Sequence, residues 1–223
     1  MKQFLALLLC SVAAGSIQAT ELSFACLQPG NSSNCDAVAA QMKVTVTEED
    51  DGSVKYLFKN IGSINSTIAR ISWDDADGVL ESLNPIQVTA GSGVNMEQVT
   101  PAPPGGGGNT FQKADVDFQA AFVSGQGGAA NGIDKGEWME AFFTLKAGKN
   151  FDDLLAAYGP NGSSRIGLHI QRIKGQNPDS IFVINSPLFV EADEQNQVPE
   201  PTTSALMGMG LLALGTWGKR RLK

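Results

Sequence analysis

This sequence of 223 residues contains few side chains that could carry out catalysis. His169 is the only histidine, and it lies in an apolar stretch, where a lone histidine is usually structural. Paired carboxylates occur, for example Asp115 with Asp117 and Glu137 with Glu140. A secreted hydrolase would need such a pair to face each other across a cleft, and no accompanying aromatic motif suggests a bound sugar. We therefore predict no catalytic residues.

One acidic turn has residues that could bind a cation. Asp74, Asp75 and Asp77 precede Gly78 and resemble part of a calcium-binding loop, in which carboxylates at alternating positions surround a glycine turn. A complete loop of that kind would need an acid where Trp73 stands. We therefore predict a solvated acidic turn, with a weak calcium site as the alternative. A single histidine also excludes sites built from clustered histidines, so we predict no other metal and no cofactor.

Two tryptophans could stack on sugar rings. Trp73 and Trp138 would serve this purpose only if they are exposed, and the low aromatic content of 7% makes burial in the core the main prediction. Exposure of either ring beside acceptors such as Asn65 or Asp75 would favour a carbohydrate-binding module.

The N-terminus has the order of segments typical of a secretory signal peptide. A charged start at Lys2 is followed by an apolar stretch over residues 4–14 and then by small and polar residues that end at Ala19. The apolar stretch is too short to span a bilayer, which needs about 20 residues. We predict a signal peptide over residues 1–19 that is cleaved after Ala19, with Ser16 as the alternative position.

The C-terminus combines a short motif, an apolar stretch and a basic tail. The motif is Val198-Pro199-Glu200-Pro201, and a transmembrane helix is predicted over residues 202–218. Its apolar part, residues 205–218, would reach only about 21 Å against a hydrocarbon core of ~30 Å, which indicates a temporary anchor. Positive charge after such a helix stays on the cytoplasmic side, and here it comes from Lys219, Arg220, Arg221 and Lys223.

Together these three C-terminal parts resemble a PEP-CTERM sorting signal. The resemblance covers residues 198–223 and concerns sorting rather than activity. It implies export by the secretion machinery, transient anchoring in the inner membrane, and cleavage near Pro-Glu-Pro by an exosortase-like processing enzyme of a Gram-negative bacterium. It further implies delivery to the cell surface or the extracellular polysaccharide matrix. An ordinary C-terminal membrane anchor is the alternative.

The body between the two signals, residues 20–197, contains two cysteines. Cys26 and Cys35 enclose a short segment rich in Gly, Asn and Ser. Because disulfides persist in exported proteins, we predict a Cys26–Cys35 disulfide. Metal binding or thiol catalysis at these cysteines would need a histidine nearby, and none is present.

The charge of the body limits its partners. Residues 20–198 contain 11 Lys and Arg against 22 Asp and Glu, which is a formal charge of −11. Such a charge repels nucleic acid and anionic lipid, so we predict no nucleic-acid partner. The glycine-rich residues 125–132 precede a predicted strand rather than a helix with a lysine, which excludes a phosphate-binding loop.

Alternation of apolar and polar residues dominates the body and predicts an all-β fold. Residues 42–60 predict a hairpin, and further strands are predicted at 67–73, 78–83, 86–90, 114–123, 137–146, 165–173 and 180–190. One short helix is predicted near residues 151–158, where Asn150 can cap the start and Gly159-Pro160 end it. We predict an antiparallel, jelly-roll-like β-sandwich, with a closed barrel as the second possibility.

These observations favour an exported, non-enzymatic protein with a structural or adhesive role at the cell surface or in the extracellular matrix. A carbohydrate-binding module that recognises the extracellular polysaccharide is the second hypothesis, and a secreted hydrolase is the third.

Overall fold

The structure is a computed structural model that describes residues 18–27, 32–102, 118–125, 128–174 and 180–190. These residues lie within one compact unit, Met1–Val190. The predicted signal-peptide residues 1–17 and the predicted C-terminal helix and basic tail lie outside the described residues. The described strands are β1 (Ala19–Cys26), β2 (Met42–Glu48), β3 (Ser53–Asn60), β4 (Thr67–Asp74), β5 (Gln87–Ala90), β6 (Met96–Val99), β7 (Ala120–Ser124), β8 (Ile133–Asp134), β9 (Trp138–Thr144), β10 (Arg165–Gln171) and β11 (Ile181–Val190). The described α-helices are α1 (Ser32–Ala39) and α2 (Phe151–Tyr158), and a short 3-10 helix spans Gly128–Asn131.

The strands form one antiparallel sheet. Its order is β5-β9-β3-β2-β1-β11-β10-β4-β7-β6, and β8 pairs with β4 beside this path. Each of the pairings is antiparallel. The predicted all-β antiparallel fold class is therefore confirmed.

The sheet curls so that its two halves face each other. Tyr56 on β3 and Trp73 on β4 lie five strands apart in the sheet order, which would separate them by about 24 Å in a flat sheet. Their ring centroids are nevertheless 6.3 Å apart. The strands at the two ends of the order, β5 and β6, are joined by residues 91–95 alone, which reach at most about 20 Å. The two layers expected of a sandwich are thus two parts of one continuous sheet.

Strand β2 and strand β3 form the predicted hairpin over residues 42–60. The register pairs Met42 with Asn60 and Glu48 with Val54. The chain reverses through a turn in which Gly52 has a φ of +79°, a backbone conformation that residues with a Cβ rarely adopt. Alternate residues of both strands are buried, as the alternating sequence pattern requires.

Helix α2 begins and ends where the sequence predicts. The Asn150 side chain accepts a hydrogen bond from the Asp153 amide at 2.9 Å, and the Asp153 carboxylate accepts one from the Asn150 amide at 3.0 Å. This capping box satisfies two backbone donors at the helix start. The apolar face packs into the core, and there the Tyr158 hydroxyl meets the Tyr56 hydroxyl at 3.0 Å.

Helix α1 is not predicted by the sequence, which indicates a loop there. The predicted Cys26–Cys35 disulfide is formed, with the two Cα atoms 6.1 Å apart, and it joins β1 to α1. Ser and Asn have low helix propensity, but burial of Cys35, Val38 and Ala39 against the sheet offsets this cost. The formation of α1 therefore depends on tertiary contacts with residues that are distant in sequence.

Some predicted strand boundaries need correction. The strand predicted at 78–83 is wrong, since this segment makes only an isolated bridge between Leu80 and Leu145. Strand β1, strand β6 and strand β8 were not predicted. The predicted strand at 114–123 corresponds to β7 at its C-terminal end, and its residues 114–117 lie outside the described residues.

Candidate functional site

The acidic turn after β4 forms hydrogen bonds within the fold. The Asp75 carboxylate accepts from the amides of Val79 at 3.0 Å and Leu80 at 2.9 Å. Asp77 Oδ2 accepts from the amides of Ser163 at 2.7 Å and Ser164 at 2.9 Å, which ties the turn to the loop before β10. The prediction of a merely solvated turn is therefore incomplete. Within the described residues, no group of three His, Cys, Asp or Glu side chains is arranged to hold a metal ion.

The two tryptophans have different surroundings. Trp73 is 2% exposed and packs edge-to-face against Phe58 and Phe122. The suggestion that Trp73 stacks on a sugar is therefore wrong, because its ring is enclosed by the core. Trp138 on β9 is 36% exposed and lies opposite Lys59 of β3. Of these two residues, Trp138 is the one that remains available for stacking, contrary to the main prediction that both rings are buried.

His169 is buried on β10 and packs against the neighbouring strand β11. Its ring stacks on Phe182 of β11, with the centroids 4.1 Å apart and the planes within 10° of parallel. The Gln171 amide nitrogen lies 3.3 Å from Nε2 of the ring. Burial, and secondarily the nearby Arg70 guanidinium, lower the pKa of His169 to about 4. The imidazole is therefore neutral at neutral pH.

The low pKa of His169 predicts that acid destabilises the protein. In the unfolded chain a histidine has a pKa of about 6.5. Between pH 6.5 and pH 4 the unfolded state therefore binds a proton that the folded state does not, and stability falls as the pH falls. We expect this effect to reach about 2 kcal/mol at pH 5 relative to pH 7. Denaturant unfolding at both pH values should show a smaller pH dependence in His169→Gln, and equal dependence in the two proteins would contradict the prediction.

The two carboxylates of the predicted pair Glu137 and Glu140 form hydrogen bonds with different parts of the fold. Glu137 accepts a hydrogen bond from the Asp134 amide at 2.8 Å in the turn between β8 and β9. Glu140 on β9 accepts one from the Thr89 hydroxyl of β5 at 2.9 Å. The other pair, residues 115 and 117, lies outside the described residues.

A cleft of about 660 Å³ opens where β4 begins, β10 ends and β8 turns into β9. Its walls are formed by eight residues: Asn65, Ser66, Thr67, Asp134, Lys135, Arg172, Ile173 and Lys174. Strand pairing brings these segments together, since Thr67 lies opposite both Asp134 and Gln171 in the sheet. The Lys174 amide donates to the Asn65 carbonyl at 3.0 Å and joins the segment after β10 to the one before β4.

The cleft has the opposite charge to the body. Three of its residues, Lys135, Arg172 and Lys174, are cationic, and Asp134 is anionic. The Asp134 carboxylate accepts a hydrogen bond from the Thr67 hydroxyl and lies 3.7 Å from Nη1 of Arg172. The lining therefore has a formal charge of +2, in a body whose formal charge is −11.

Sequence reasoning missed this cleft, apart from naming Asn65 as a hydrogen-bonding residue. Lys135 lies in a tight turn, and Arg172 and Lys174 follow a strand more than 35 residues later. No local spacing connects these positions. Strand pairing alone brings them together.

The C-terminus matches a known sorting motif. Residues 197–221 match the family model described as the PEP-CTERM protein-sorting motif, which confirms the resemblance predicted from residues 198–223. No curated protein and no solved structure matches the chain. Among the described residues, no helix has the length and apolar character needed to cross a membrane.

The motif implies that the protein is exported and processed by an exosortase-type enzyme. In this chain, the matched segment contains Val198-Pro199-Glu200-Pro201 and the basic residues Lys219, Arg220 and Arg221. Lys223 lies just beyond the match.

Proposed function

We propose that the processed protein is a non-catalytic structural or adhesive component of the cell surface or the extracellular polysaccharide matrix. The observation that carries this proposal is the PEP-CTERM motif at residues 197–221. Support for a non-catalytic role comes from the candidate catalytic groups. His169 is stacked in the fold, and the Glu137 and Glu140 carboxylates accept hydrogen bonds from the Asp134 amide and the Thr89 hydroxyl, respectively.

The proposed processing also includes removal of a signal peptide after Ala19. Ala19 is the first residue of β1 and lies opposite Thr47 of β2. Cleavage after it would leave residues 20–26 of the strand, including the pairs from Thr20 to Leu22 with β2. The strand can therefore form in the mature protein.

A carbohydrate-binding module is the second candidate function. The exposed ring of Trp138 favours it, because aromatic faces stack on sugar rings. The adjacent strands place Lys59 and Glu140 on the same face of the sheet as Trp138. Such a module would perform the adhesive role by binding the polysaccharide directly.

The proposed sorting is tested by the intact mass of the protein from the producing bacterium and from a strain that lacks its exosortase. We expect a species that begins near Thr20 and ends near Val198–Pro201 in the wild type alone. Glu200→Ala should prevent this processing, and Glu194→Ala, which removes a carboxylate outside the motif, should leave it unchanged. If the protein keeps residues 219–223 in both strains, the C-terminus is an ordinary membrane anchor and the proposed sorting is wrong.

The matrix role has a separate test. Cultures of both strains are divided into cells, polymer matrix and medium, and the protein is quantified in each fraction. We expect it in the cell-surface or matrix fraction of the wild type and in the membrane of the exosortase-deficient strain. Processed protein found in the medium alone would contradict the matrix role.

A further inference from the structure

We propose that the cationic cleft binds a carboxylate group of an acidic polysaccharide, with the uronate sugar ring seated against the cleft wall. The inference deepens the proposed function and rests on it for the source of the ligand. Binding itself depends on the cleft alone and can be measured independently of sorting.

Arg172 provides the primary anion contact. Its side chain is 55% exposed, and its ion pair with Asp134 is loose at 3.7 Å. A guanidinium has five N–H donors, and among the described residues the loose pair with Asp134 is the contact recorded for them, so a fork of donors is left for a second carboxylate. Guanidinium groups bind carboxylates through two parallel hydrogen bonds, which a lysine cannot do.

The two lysines add positive charge at the same cleft. The Lys135 ammonium donates to the Ser63 carbonyl at 3.2 Å. This hydrogen bond holds the ammonium near the opening of the cleft and leaves two of its three N–H donors for a ligand. Lys174 is exposed, and its backbone is fixed by the bond to the Asn65 carbonyl. Together with Arg172 these groups outnumber the single carboxylate of Asp134.

The exposed side chain of Asn65 adds a neutral polar group to the cleft. Its amide can hydrogen-bond to the hydroxyl groups of a sugar ring, which a bare inorganic anion lacks. The neighbouring Ser66 and Thr67 are buried, and their hydroxyls are bonded within the fold, where Ser66 accepts from the Gln41 amide and Thr67 donates to the Asp134 carboxylate. Asn65 is therefore the residue of the lining that favours a sugar carboxylate over a bare ion.

The backbone at Arg172 gives independent support. Arg172 has a φ of +55° and is the one non-glycine residue with a positive φ among the described residues. Glycine adopts this conformation at no steric cost, whereas arginine is strained there. Strain of this kind tends to occur where a side chain is needed for function. Replacing Arg172 with glycine therefore removes the guanidinium that would bind the ligand without destabilising the backbone, so effects on binding and on stability can be told apart.

The test measures binding of oligogalacturonate to the protein purified from the producing bacterium, by calorimetry at low and high salt. We expect Arg172→Gly to weaken binding at least tenfold, as expected for loss of a charge-assisted pair. Its unfolding midpoint should be unchanged or higher, because glycine relieves the backbone strain. Lys174→Gln should weaken binding several-fold, and higher salt should weaken binding by the wild type.

Lys149→Gln is the matched control, since it removes an exposed positive charge outside the cleft. It should bind as the wild type does. Unchanged binding by Arg172→Gly would overturn the proposal, as would equal binding of neutral dextran oligomers. Inorganic phosphate that binds as tightly as the uronate would indicate a general anion site and overturn the saccharide assignment. Normal uronate binding by a protein that keeps residues 219–223 would refute the sorting proposal alone.

Discussion

Replacing Trp73 with alanine is expected to lower the free energy of unfolding by about 3–5 kcal/mol, the cost typical of removing a large buried aromatic side chain. The ring centroid of Trp73 lies 5.3 Å from that of Phe58 and 5.4 Å from that of Phe122. Because Phe58 lies on β3 and Trp73 on β4, the alanine would leave a cavity between the two facing parts of the sheet.

Trp138→Ala is the matched control for this prediction. Trp138 is also on a strand but is 36% exposed, so its removal should cost about 2 kcal/mol or less. Urea unfolding of both variants gives the comparison, and similar costs would contradict the assignment of Trp73 to the core. Trp73→Phe should be intermediate, since among the described residues the Trp73 indole N–H has no hydrogen-bond partner to lose.

Local sequence signals were sufficient for the parts of the fold that depend on neighbouring residues. The β2–β3 hairpin follows from strict alternation around Gly52, and α2 follows from the capping residues Asn150 and Asp153. Both patterns are complete within about 20 residues. They identify the element without any knowledge of what it packs against.

Elements that depend on distant contacts were not predictable in this way. Helix α1 has weak helix propensity and is stabilised by burial and by the disulfide from Cys35 to Cys26 of β1. Strand β6 is half exposed and pairs with β7, which follows it by more than 20 residues. The curl of the sheet likewise depends on aromatic contacts between strands that are far apart in sequence, such as Tyr56 with Trp73.

The same distinction applies to function. The sorting motif can be recognised from sequence because it is one short contiguous segment, residues 197–221. The cationic cleft joins Asn65, Asp134 and Arg172, which are separated by 69 and 38 residues in the sequence. The positive φ of Arg172 has no sequence signal either, since glycine is the residue usually associated with it.

Asn60→Ala is expected to cost about 3–4 kcal/mol, because the Asn60 side chain connects three segments inside the protein. It is fully buried, accepts from the Gln41 amide at 3.0 Å, and donates to the carbonyls of Ser66 at 2.8 Å and Ile133 at 3.4 Å. Alanine would remove the donor to the Ser66 and Ile133 carbonyls, at about 1–3 kcal/mol for each group left unsatisfied, partly offset by relaxation. The Gln41 amide would keep its hydrogen bonds to the Ile64 carbonyl and the Ser66 hydroxyl. Since Ser66 lines the cleft, uronate binding should weaken as well.

Asn84→Ala provides the control, because exposed Asn84 accepts a hydrogen bond from the Gln98 amide at 2.7 Å and water can replace it. Its expected cost is about 0.5 kcal/mol. Urea unfolding compares the two variants, and equal stability would show that the contacts of Asn60 contribute little. A destabilised Asn60→Ala that still binds uronate with wild-type affinity would separate the two effects. In that case Asn60 holds the sheet together, and the cleft keeps its shape through the Thr67–Asp134 contact and the backbone bond between Lys174 and Asn65.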